Sequence, residues 1–216
     1  MFRFQLTETS EKTVEINVLS DFANLIEKLY GKRMTIISPT AKDEKDLGFD
    51  EIIEDLPPGR VIAFQFKRPF LMKRPPNYVR FVINTRQLQN LLKRFYPNEA
   101  YYVFAPYPQN RDIAINRTTL LHGTKAVDVY DIPNGQKITQ RTRTVRCRRL
   151  GGGSMEITDP SEYQPIEKVH SLDDLANKLI EKQIGFEVPL SEKRKEKIKR
   201  ERIRVRKLFY IHLSSE

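Results

Sequence analysis

The sequence predicts an α/β protein in which a mixed central β-sheet is flanked by helices. Three observations support this prediction. Short apolar stretches bounded by glycine and proline, which are typical of strands, recur through the first half of the chain. Two longer segments repeat their apolar residues at the spacing of an amphipathic helix. A Pro-Pro-Gly turn joins two of the strands so closely that they must be antiparallel neighbours, because a parallel crossover needs about a dozen residues or more.

The N-terminal part of the chain changes from strand-like to helical patterns. Alternating apolar residues predict one or two short strands within residues 2–18. A helix is predicted over residues 20–30, with Ser20 as its N-cap and Gly31 at its C-terminal end. The apolar stripe of this helix, which should pack on a sheet, comprises Phe22, Leu25, Ile26 and Leu29. A brief strand follows at residues 34–37.

The two strands on either side of the Pro-Pro-Gly turn, residues 49–54 and 61–67, form the centre of the predicted sheet. The second strand is apolar on both faces over its first half, which is typical of a central strand. Gln65 and Lys67 then interrupt the apolar run two positions apart, so both side chains lie on one face. Burying an amide and an amine without partners is costly. We therefore expect a partner or a wet cleft here, and Asp50 on the preceding strand is the nearest candidate.

Three further elements complete this half of the chain. A strand is predicted over residues 78–83. Thr85 caps a helix predicted from Arg86 to Phe95, whose apolar stripe comprises Leu88, Leu91, Leu92 and Phe95. An aromatic-rich strand follows at residues 101–105. The order over residues 20–105 is therefore helix, three strands, helix and strand, with the strand at 78–83 inserted before the second helix.

The positions of Asp50, Gln65 and Lys67 resemble the signature of the PD-(D/E)XK nuclease superfamily. In that superfamily an aspartate on one strand is followed on the next by an acidic residue, any residue and a lysine. Gln65 stands where an acidic residue is usual, and glutamine variants occur in the superfamily. The αβββαβ order of residues 20–105 is the superfamily's core. The resemblance therefore implies a restriction-endonuclease-like core, followed by a basic C-terminal extension.

The same resemblance implies metal-dependent hydrolysis of phosphodiester bonds in DNA. Asp50 would be the central ligand of Mg²⁺ or Mn²⁺, with the Gln65 side-chain oxygen and the Phe66 carbonyl beside it. Lys67 would position the attacking water and stabilise charge that develops on the phosphate. Glu27 would reach in from the first helix as a further metal ligand. An amide at position 65 removes one negative charge, so the metal affinity should be lower than with a carboxylate.

Each of these assignments has a structural alternative. Asp50 and Lys67 could form a buried ion pair that the Gln65 amide completes. Glu27 could lie on a solvated helix edge. Gln87, near the N-terminus of the second helix, is a candidate for placing a phosphate, because free N–H groups and the helix dipole attract anions there. An exposed glutamine on a polar face is the alternative for Gln87.

The basic charge balance predicts polyanionic partners. A formal net charge of +10 favours nucleic acid over an anionic membrane, and the resemblance implies that this nucleic acid is DNA. Lysine and arginine dominate residues 193–207, more than pairing with the two glutamates there requires, so we assign phosphate contacts to this segment. The assigned residues are Lys193, Lys197, Arg200 and Arg204, together with Arg143 and Arg146 from the arginine-rich run 141–149. A solvated basic helix is the alternative for residues 193–207.

A Gly-Gly-Gly-Ser break at residues 151–154 suggests the domain organisation. Residues 1–150 are predicted to form the nuclease-like core with peripheral strands. Residues 151–216 should form a basic helical extension packed on the core or tethered to it, with one helix at residues 172–182.

The single cysteine, Cys147, excludes an internal disulfide and fits a reducing cytosol. Neighbouring arginines can lower its thiol pKa. No histidine lies near it in the sequence, so it receives no catalytic role. The chain has no apolar run long enough to span a membrane and no apolar signal-peptide region at its N-terminus. We therefore expect a cytoplasmic protein.

The sequence thus favours a metal-dependent DNA nuclease, in defence or in repair. One alternative is a nucleic-acid-binding protein that retains the nuclease-like fold without cleaving. A second alternative is a structural protein whose basic segments dock an acidic partner protein. A homodimer is compatible with each. Convergence of the Asp50 and Gln65 oxygens, with Lys67 beside them, is the feature that distinguishes the first two.

Overall fold

The structure, a computed structural model, describes residues 8–31, 33–38, 50–56, 60–73, 77–132, 142–148, 155–159 and 162–187. Within these residues it has two β-sheets and several α-helices, so the prediction of a mixed α/β protein is confirmed. The strands are β1 (Thr35–Ile37), β2 (Glu51–Leu56), β3 (Arg60–Lys67), β4 (Phe70–Leu71), β5 (Tyr78–Asn84), β6 (Ala100–Phe104), β7 (Lys125–Asp128), β8 (Thr142–Arg148), β9 (Met155–Asp159), β10 (Glu162–Pro165), β11 (His170–Ser171) and β12 (Phe186–Glu187). The helices are α1 (Glu11–Tyr30), α2 (Thr85–Arg94), α3 (Asn110–Ile115), α4 (Leu120–Gly123) and α5 (Leu172–Ile180).

The first sheet has the strand order β1-β2-β3-β6-β7-β11, with β12 also paired to β3. The strands β2 and β3 are antiparallel neighbours, as the Pro-Pro-Gly turn predicts. The strands β3 and β6 are parallel, which makes this sheet mixed. One face of the sheet packs against α1 and α5 through a cluster that includes Phe22, Phe64, Phe66 and Leu175.

The second sheet has the strand order β10-β9-β8-β5-β4 and is antiparallel throughout. Its inner face packs on the other face of the first sheet and on α2. The buried residues of this second core include Phe81, Val145 and Ile157 from the second sheet and Tyr102 and Phe104 from the first. The strand predicted at residues 78–83 is therefore β5, and it belongs to the second sheet.

The helix α1 is longer than predicted, and the strands predicted within residues 2–18 are wrong for residues 11–18. Ser10 is the N-cap instead of Ser20, and its hydroxyl accepts a hydrogen bond from the Thr13 N–H at 3.0 Å. The stripe is correspondingly longer, with five buried apolar residues: Val14, Val18, Leu19, Phe22 and Ile26. Leu29, predicted to face the sheet, is 46% exposed. The helix ends at Gly31, as predicted, in the left-handed conformation (φ 74°).

The helix α2 forms close to its predicted position. Its N-cap is Asn84 instead of Thr85, because the Asn84 side-chain oxygen accepts hydrogen bonds from the Arg86 and Gln87 N–H groups at 2.9 and 3.2 Å. The predicted apolar stripe is buried or partly buried in the second core, with Leu88, Leu91, Leu92 and Phe95 all contributing.

The described part of the predicted C-terminal extension contributes to both sheets. The strands β9 and β10 complete the second sheet, β11 lies at the edge of the first, and α5 packs beside α1. Residues 188–216 lie outside the described residues. None of the helices in the described part of the chain is long and apolar enough to cross a membrane.

Cys147 faces the interior between the two sheets and is completely buried. Burial raises the pKa of its thiol to about 12. The expectation that neighbouring arginines lower this pKa is therefore wrong, because desolvation of the thiolate outweighs the nearby positive charge.

Candidate active site

Alternation along β3 separates an apolar face from a polar one. Phe64 and Phe66 belong to the core beneath α1. Gln65 and Lys67, which point the other way, lie opposite Tyr102 and Phe104 in the parallel pairing with β6. Tyr102 and Phe104 belong to the core between the sheets. The amide and the amine thus share one face, as the sequence predicts, and that face looks toward the second sheet.

Asp50 and Gln65 are directly linked. The Asp50 Oδ2 atom accepts a hydrogen bond from Gln65 Nε2 at 2.5 Å and another from the Phe66 backbone N–H at 2.6 Å. The Gln65 amide is only 1% exposed and has further partners. Its Nε2 also donates to the Phe66 carbonyl at 3.1 Å, and its Oε1 accepts from Gln87 Nε2 at 2.5 Å. Every hydrogen-bonding atom of this buried amide is therefore used.

Gln87 thus lies in the site through a contact that the sequence did not predict, and its role in placing a phosphate stays a prediction. The Asn84 cap begins α2 so that Gln87, in its first turn, reaches Gln65. Its side-chain nitrogen donates to the Gln65 amide oxygen at 2.5 Å, and a half-turn of Gln87 would let its own oxygen accept from a Gln65 amide turned the other way. This contact makes Gln87 a positioning residue for the site.

Lys67 and Tyr102 occupy the buried side of the cluster. Lys67 is 8% exposed, and its Nζ lies 5.8 Å from the centroid of the Tyr102 ring, within the range of a cation–π interaction. The Tyr102 hydroxyl is buried and has no hydrogen-bond partner among the described residues. Burial, and secondarily the charge of Asp50, raise the pKa of Tyr102 above its usual value, so its hydroxyl stays protonated and able to donate. From the sequence, Tyr102 is expected only as part of the aromatic-rich strand at residues 101–105.

The oxygen atoms around Gln65 would suit a divalent metal after one rearrangement of the Gln65 amide. Asp50 Oδ2 and the Phe66 carbonyl oxygen converge on the Gln65 side-chain nitrogen. A half-turn of this amide would place its oxygen beside the other two, giving a set of hard oxygen ligands of the kind that Mg²⁺ prefers. In the described part of the chain, no three His, Cys, Asp or Glu side chains are grouped to hold a metal ion. The fit therefore depends on the amide and the backbone carbonyl.

Glu27 does not join this cluster, which corrects its predicted role as a metal ligand. Its carboxylate is 43% exposed and accepts a hydrogen bond from Arg33 Nε at 2.9 Å. The N-terminal end of α1, and not the end that carries Glu27, lies at the C-terminal end of β3. There Glu11 Oε2 accepts a hydrogen bond from the Arg68 backbone N–H at 2.8 Å. Glu27 is about 24 Å from Glu11 along a straight helix axis at about 1.5 Å per residue.

A second polar cluster lies on the opposite face of the same strands. Glu51, which is 2% exposed, pairs in register with Phe64 and so faces α1. The Ser38 hydroxyl donates to its carboxyl group at 2.6 Å, and Lys12 Nζ, which also pairs with Glu15, lies 3.9 Å from it. Burial and the neighbouring Glu15 carboxyl raise the pKa of Glu51 to about 8. Glu51 is therefore mainly protonated at neutral pH.

The strand prediction for residues 11–18 conceals this second cluster, because it puts Glu11 and Glu15 on an extended segment and not on α1. As a helix, the same residues place Glu11 and Glu15 one turn apart on a single face. Continuing the helical apolar spacing upstream from Phe22 through Val18 to Val14 is the signal that would have revealed the pair.

Arg143 and Arg146, two of the residues assigned to nucleic-acid contact, lie on opposite faces of β8. Arg143 lies opposite Ile83 in the second sheet and is only 5% exposed, so it does not present its charge on the open surface. Arg146 is half-buried, and its guanidinium binds Glu156 at 3.0 Å. The remaining four, Lys193, Lys197, Arg200 and Arg204, lie outside the described residues.

Comparison of the chain with models of protein families, with curated proteins and with solved structures finds no match. A functional assignment therefore depends on the arrangement of the side chains.

Proposed function

We propose that the protein is a metal-dependent nuclease with a restriction-endonuclease-like core, which hydrolyses phosphodiester bonds in DNA. The observation that carries this proposal is the convergence of Asp50, Gln65 and the Phe66 carbonyl, with Lys67 on the same face. The strand order β1-β2-β3-β6, with β3 and β6 parallel, supports it as well. The helix α1 precedes these strands and α2 comes between β5 and β6, as an αβββαβ core with an insertion requires.

Each residue of the site has a distinct task in this proposal. Asp50, Gln65 and the Phe66 carbonyl would hold Mg²⁺ or Mn²⁺. The bound ion would polarise the scissile phosphate and lower the pKa of a coordinated water. Lys67 orients the attacking water and stabilises negative charge on the phosphate oxygens. The Tyr102 hydroxyl, a buried donor with no partner among the described residues, is available to a phosphate oxygen or to that water.

A second candidate function is nucleic-acid binding without cleavage. It is favoured by the orientation of the Gln65 amide, whose nitrogen and not its oxygen faces Asp50. In this orientation Asp50 Oδ2 accepts two hydrogen bonds from protein donors. The site also contains one carboxylate where the superfamily usually has two. A cytoplasmic location, a homodimer and docking to an acidic partner protein stay predictions.

Cleavage assays with a Lys67→Ala variant test the proposal. The wild-type protein should cut supercoiled plasmid or linear DNA in Mg²⁺ or Mn²⁺. The variant should lose about 100-fold or more of the rate, since one stabilising donor of a charged transition state is removed. Its DNA affinity in EDTA should be nearly unchanged, because phosphate contacts elsewhere supply the affinity.

Lys93→Ala is the matched control, because Lys93 is an exposed lysine in the last turn of α2. It should cut at the wild-type rate. A wild-type protein that binds DNA and never cuts it, with either metal, would leave the second candidate function in place of the first.

A further inference from the structure

The outer face of the second sheet carries a row of arginines beside aromatic rings. Phe70 on β4 lies opposite Arg80 on β5, Arg80 opposite Arg146 on β8, and Arg146 opposite Glu156 on β9. Residues that face each other across antiparallel strands share one side of the sheet, with Cβ atoms about 5 Å apart. In the neighbouring row Tyr78 lies opposite Arg148. Three arginines and two aromatic rings are thus adjacent on one surface.

This surface is open to solvent in the described part of the chain. Arg80 and Arg148 are exposed, and Val82 on the same face of β5 is 36% exposed. Val79 and Phe81, which alternate with Arg80 and Val82 along β5, are completely buried because they face the first sheet. The face is therefore distinct from the candidate active site, which lies on the other side of the second sheet.

The guanidinium groups of Arg80 and Arg146 lie over aromatic rings. The Arg146 guanidinium lies 5.8 Å from the Tyr78 ring centroid, and the Arg80 guanidinium lies 5.6 Å from that of Phe70. Arg68 lies over the same Phe70 ring at 5.1 Å. Stacking on a ring restricts the orientation of an arginine, so less conformational entropy is lost when it binds an anion.

Two of the arginine charges on this face are not balanced by the described residues. Glu156 pairs with Arg146, but neither Arg80 nor Arg148 forms an ion pair with another described residue. A bound phosphate would supply Arg80 and Arg148 with the negative charge that Glu156 supplies to Arg146.

We propose that this face binds a single strand of nucleic acid, whose phosphates contact Arg80 and Arg148 and one of whose bases stacks on Tyr78. Phosphates match the two exposed arginines, and an unpaired base matches the tyrosine ring beside them. A duplex could present its phosphates to the sheet, but its bases are stacked on one another and could not stack on a side chain. The basic segment 193–207 of this chain is not a suitable occupant of this face, because its lysines and arginines would be repelled by the arginines there. The proposal does not depend on cleavage, so it holds for either candidate function.

Fluorescence anisotropy with a labelled 20-nucleotide oligo(dT) tests the arginines, using the full chain in EDTA at several salt concentrations. Arg80→Gln/Arg148→Gln should weaken binding about tenfold and reduce the salt slope by about 1.4, because each phosphate contact to a single strand contributes about 0.7. The matched control Lys93→Gln/Arg94→Gln removes the same charge from exposed positions at the end of α2. It should change the affinity by less than about twofold. Equal losses in both variants, or none in either, would overturn the proposal.

Tyr78→Leu tests the aromatic contribution. It should weaken oligo(dT) binding about fivefold or more, with an unchanged salt slope, since stacking releases no counterions. Binding of a 20-base-pair duplex should be weaker and insensitive to this substitution. Polyglutamate is added as a competitor at the same concentration of charge. If polyglutamate displaces the labelled oligo(dT) as effectively as unlabelled oligo(dT) does, the face is a docking surface for acidic proteins. The assignment to nucleic acid would then be wrong.

Discussion

Gln65 is the residue on which the candidate site depends, because its buried amide joins Asp50 on one side to Gln87 on the other. Its shared face with Lys67 follows from strand alternation alone, and its proximity to Asp50 follows from the short turn between β2 and β3. Its contact with Gln87 could not be predicted in the same way. That contact depends on how α2 docks against the sheet, which the local sequence does not specify.

Tyr102 illustrates the same limit. Its position beside Gln65 is set by the register of the parallel pair β3 and β6. A parallel register depends on the long connection between the strands and not on a turn. The aromatic strand itself was predictable, but which of its residues would reach the site was not.

Glu51 leads to a prediction about pH at the residue scale. The pKa of its carboxyl is about 8 in the folded chain, against an ordinary value of 4.5. Between these pH values the folded state holds a proton that the unfolded state has lost, so stability falls as the pH rises, by at most about 1.4 kcal/mol per pH unit. Glu51→Gln should remove this dependence. Its melting temperature in EDTA should exceed that of the wild type most clearly near pH 8, and change less between pH 5 and 8.

Glu27→Gln is the control for this pH series, because it removes a carboxyl group that is 43% exposed. It should leave the pH dependence of the melting temperature close to that of the wild type. A Glu51→Gln variant that keeps the wild-type slope would show that Glu51 is ionised in the folded protein at neutral pH.

At the scale of elements, α1 is where local pattern and tertiary structure disagree most. The alternation of Val14, Ile16 and Val18 is typical of a strand, yet these residues are helical and Ile16 is 56% exposed. Val14 and Val18 are one helical turn apart and continue the stripe of Phe22 and Ile26. Packing against the first sheet and α5 therefore overrides the weak strand preference of valine and isoleucine.

The position of the N-cap of α1 can be tested with two serines. Ser10→Ala should destabilise the protein by about 1 kcal/mol, because the Thr13 N–H loses the hydroxyl that accepts its hydrogen bond. Ser20→Ala should be neutral or slightly stabilising, because Ser20 is exposed in the middle of the helix and alanine has the higher helix propensity. Urea unfolding of both variants measures this. A loss at Ser20 with none at Ser10 would place the start of the helix where the sequence pattern put it.

For the whole molecule, the second sheet is the feature that the sequence did not reveal. Its individual strands carried recognisable patterns, but the partners come from distant parts of the chain, as Tyr78 opposite Arg148 shows. The fold class was predictable because it depends on local periodicity. The division into two sheets was not, because it depends on contacts between segments far apart in sequence.

Burial of Cys147 between the sheets provides a test of this architecture. With its pKa raised to about 12 and no exposed surface, the thiol should react with Ellman's reagent at pH 8 only as fast as the protein opens. The same reaction in 6 M guanidinium chloride should be complete within the mixing time. Rapid reaction of the native protein would mean that the two sheets do not pack as described.

The central claim concerns the site at Asp50, and a titration with Mn²⁺, followed by electron paramagnetic resonance, tests it most directly. The wild-type protein should bind one Mn²⁺ that Asp50→Asn does not bind. Gln65→Glu should bind it more tightly, because a second carboxylate replaces the amide. Glu27→Gln should bind it as the wild type does, since Glu27 lies at the other end of α1. Equal binding by the wild type and Asp50→Asn, or no binding by either, would contradict the assignment of a metal-dependent nuclease site.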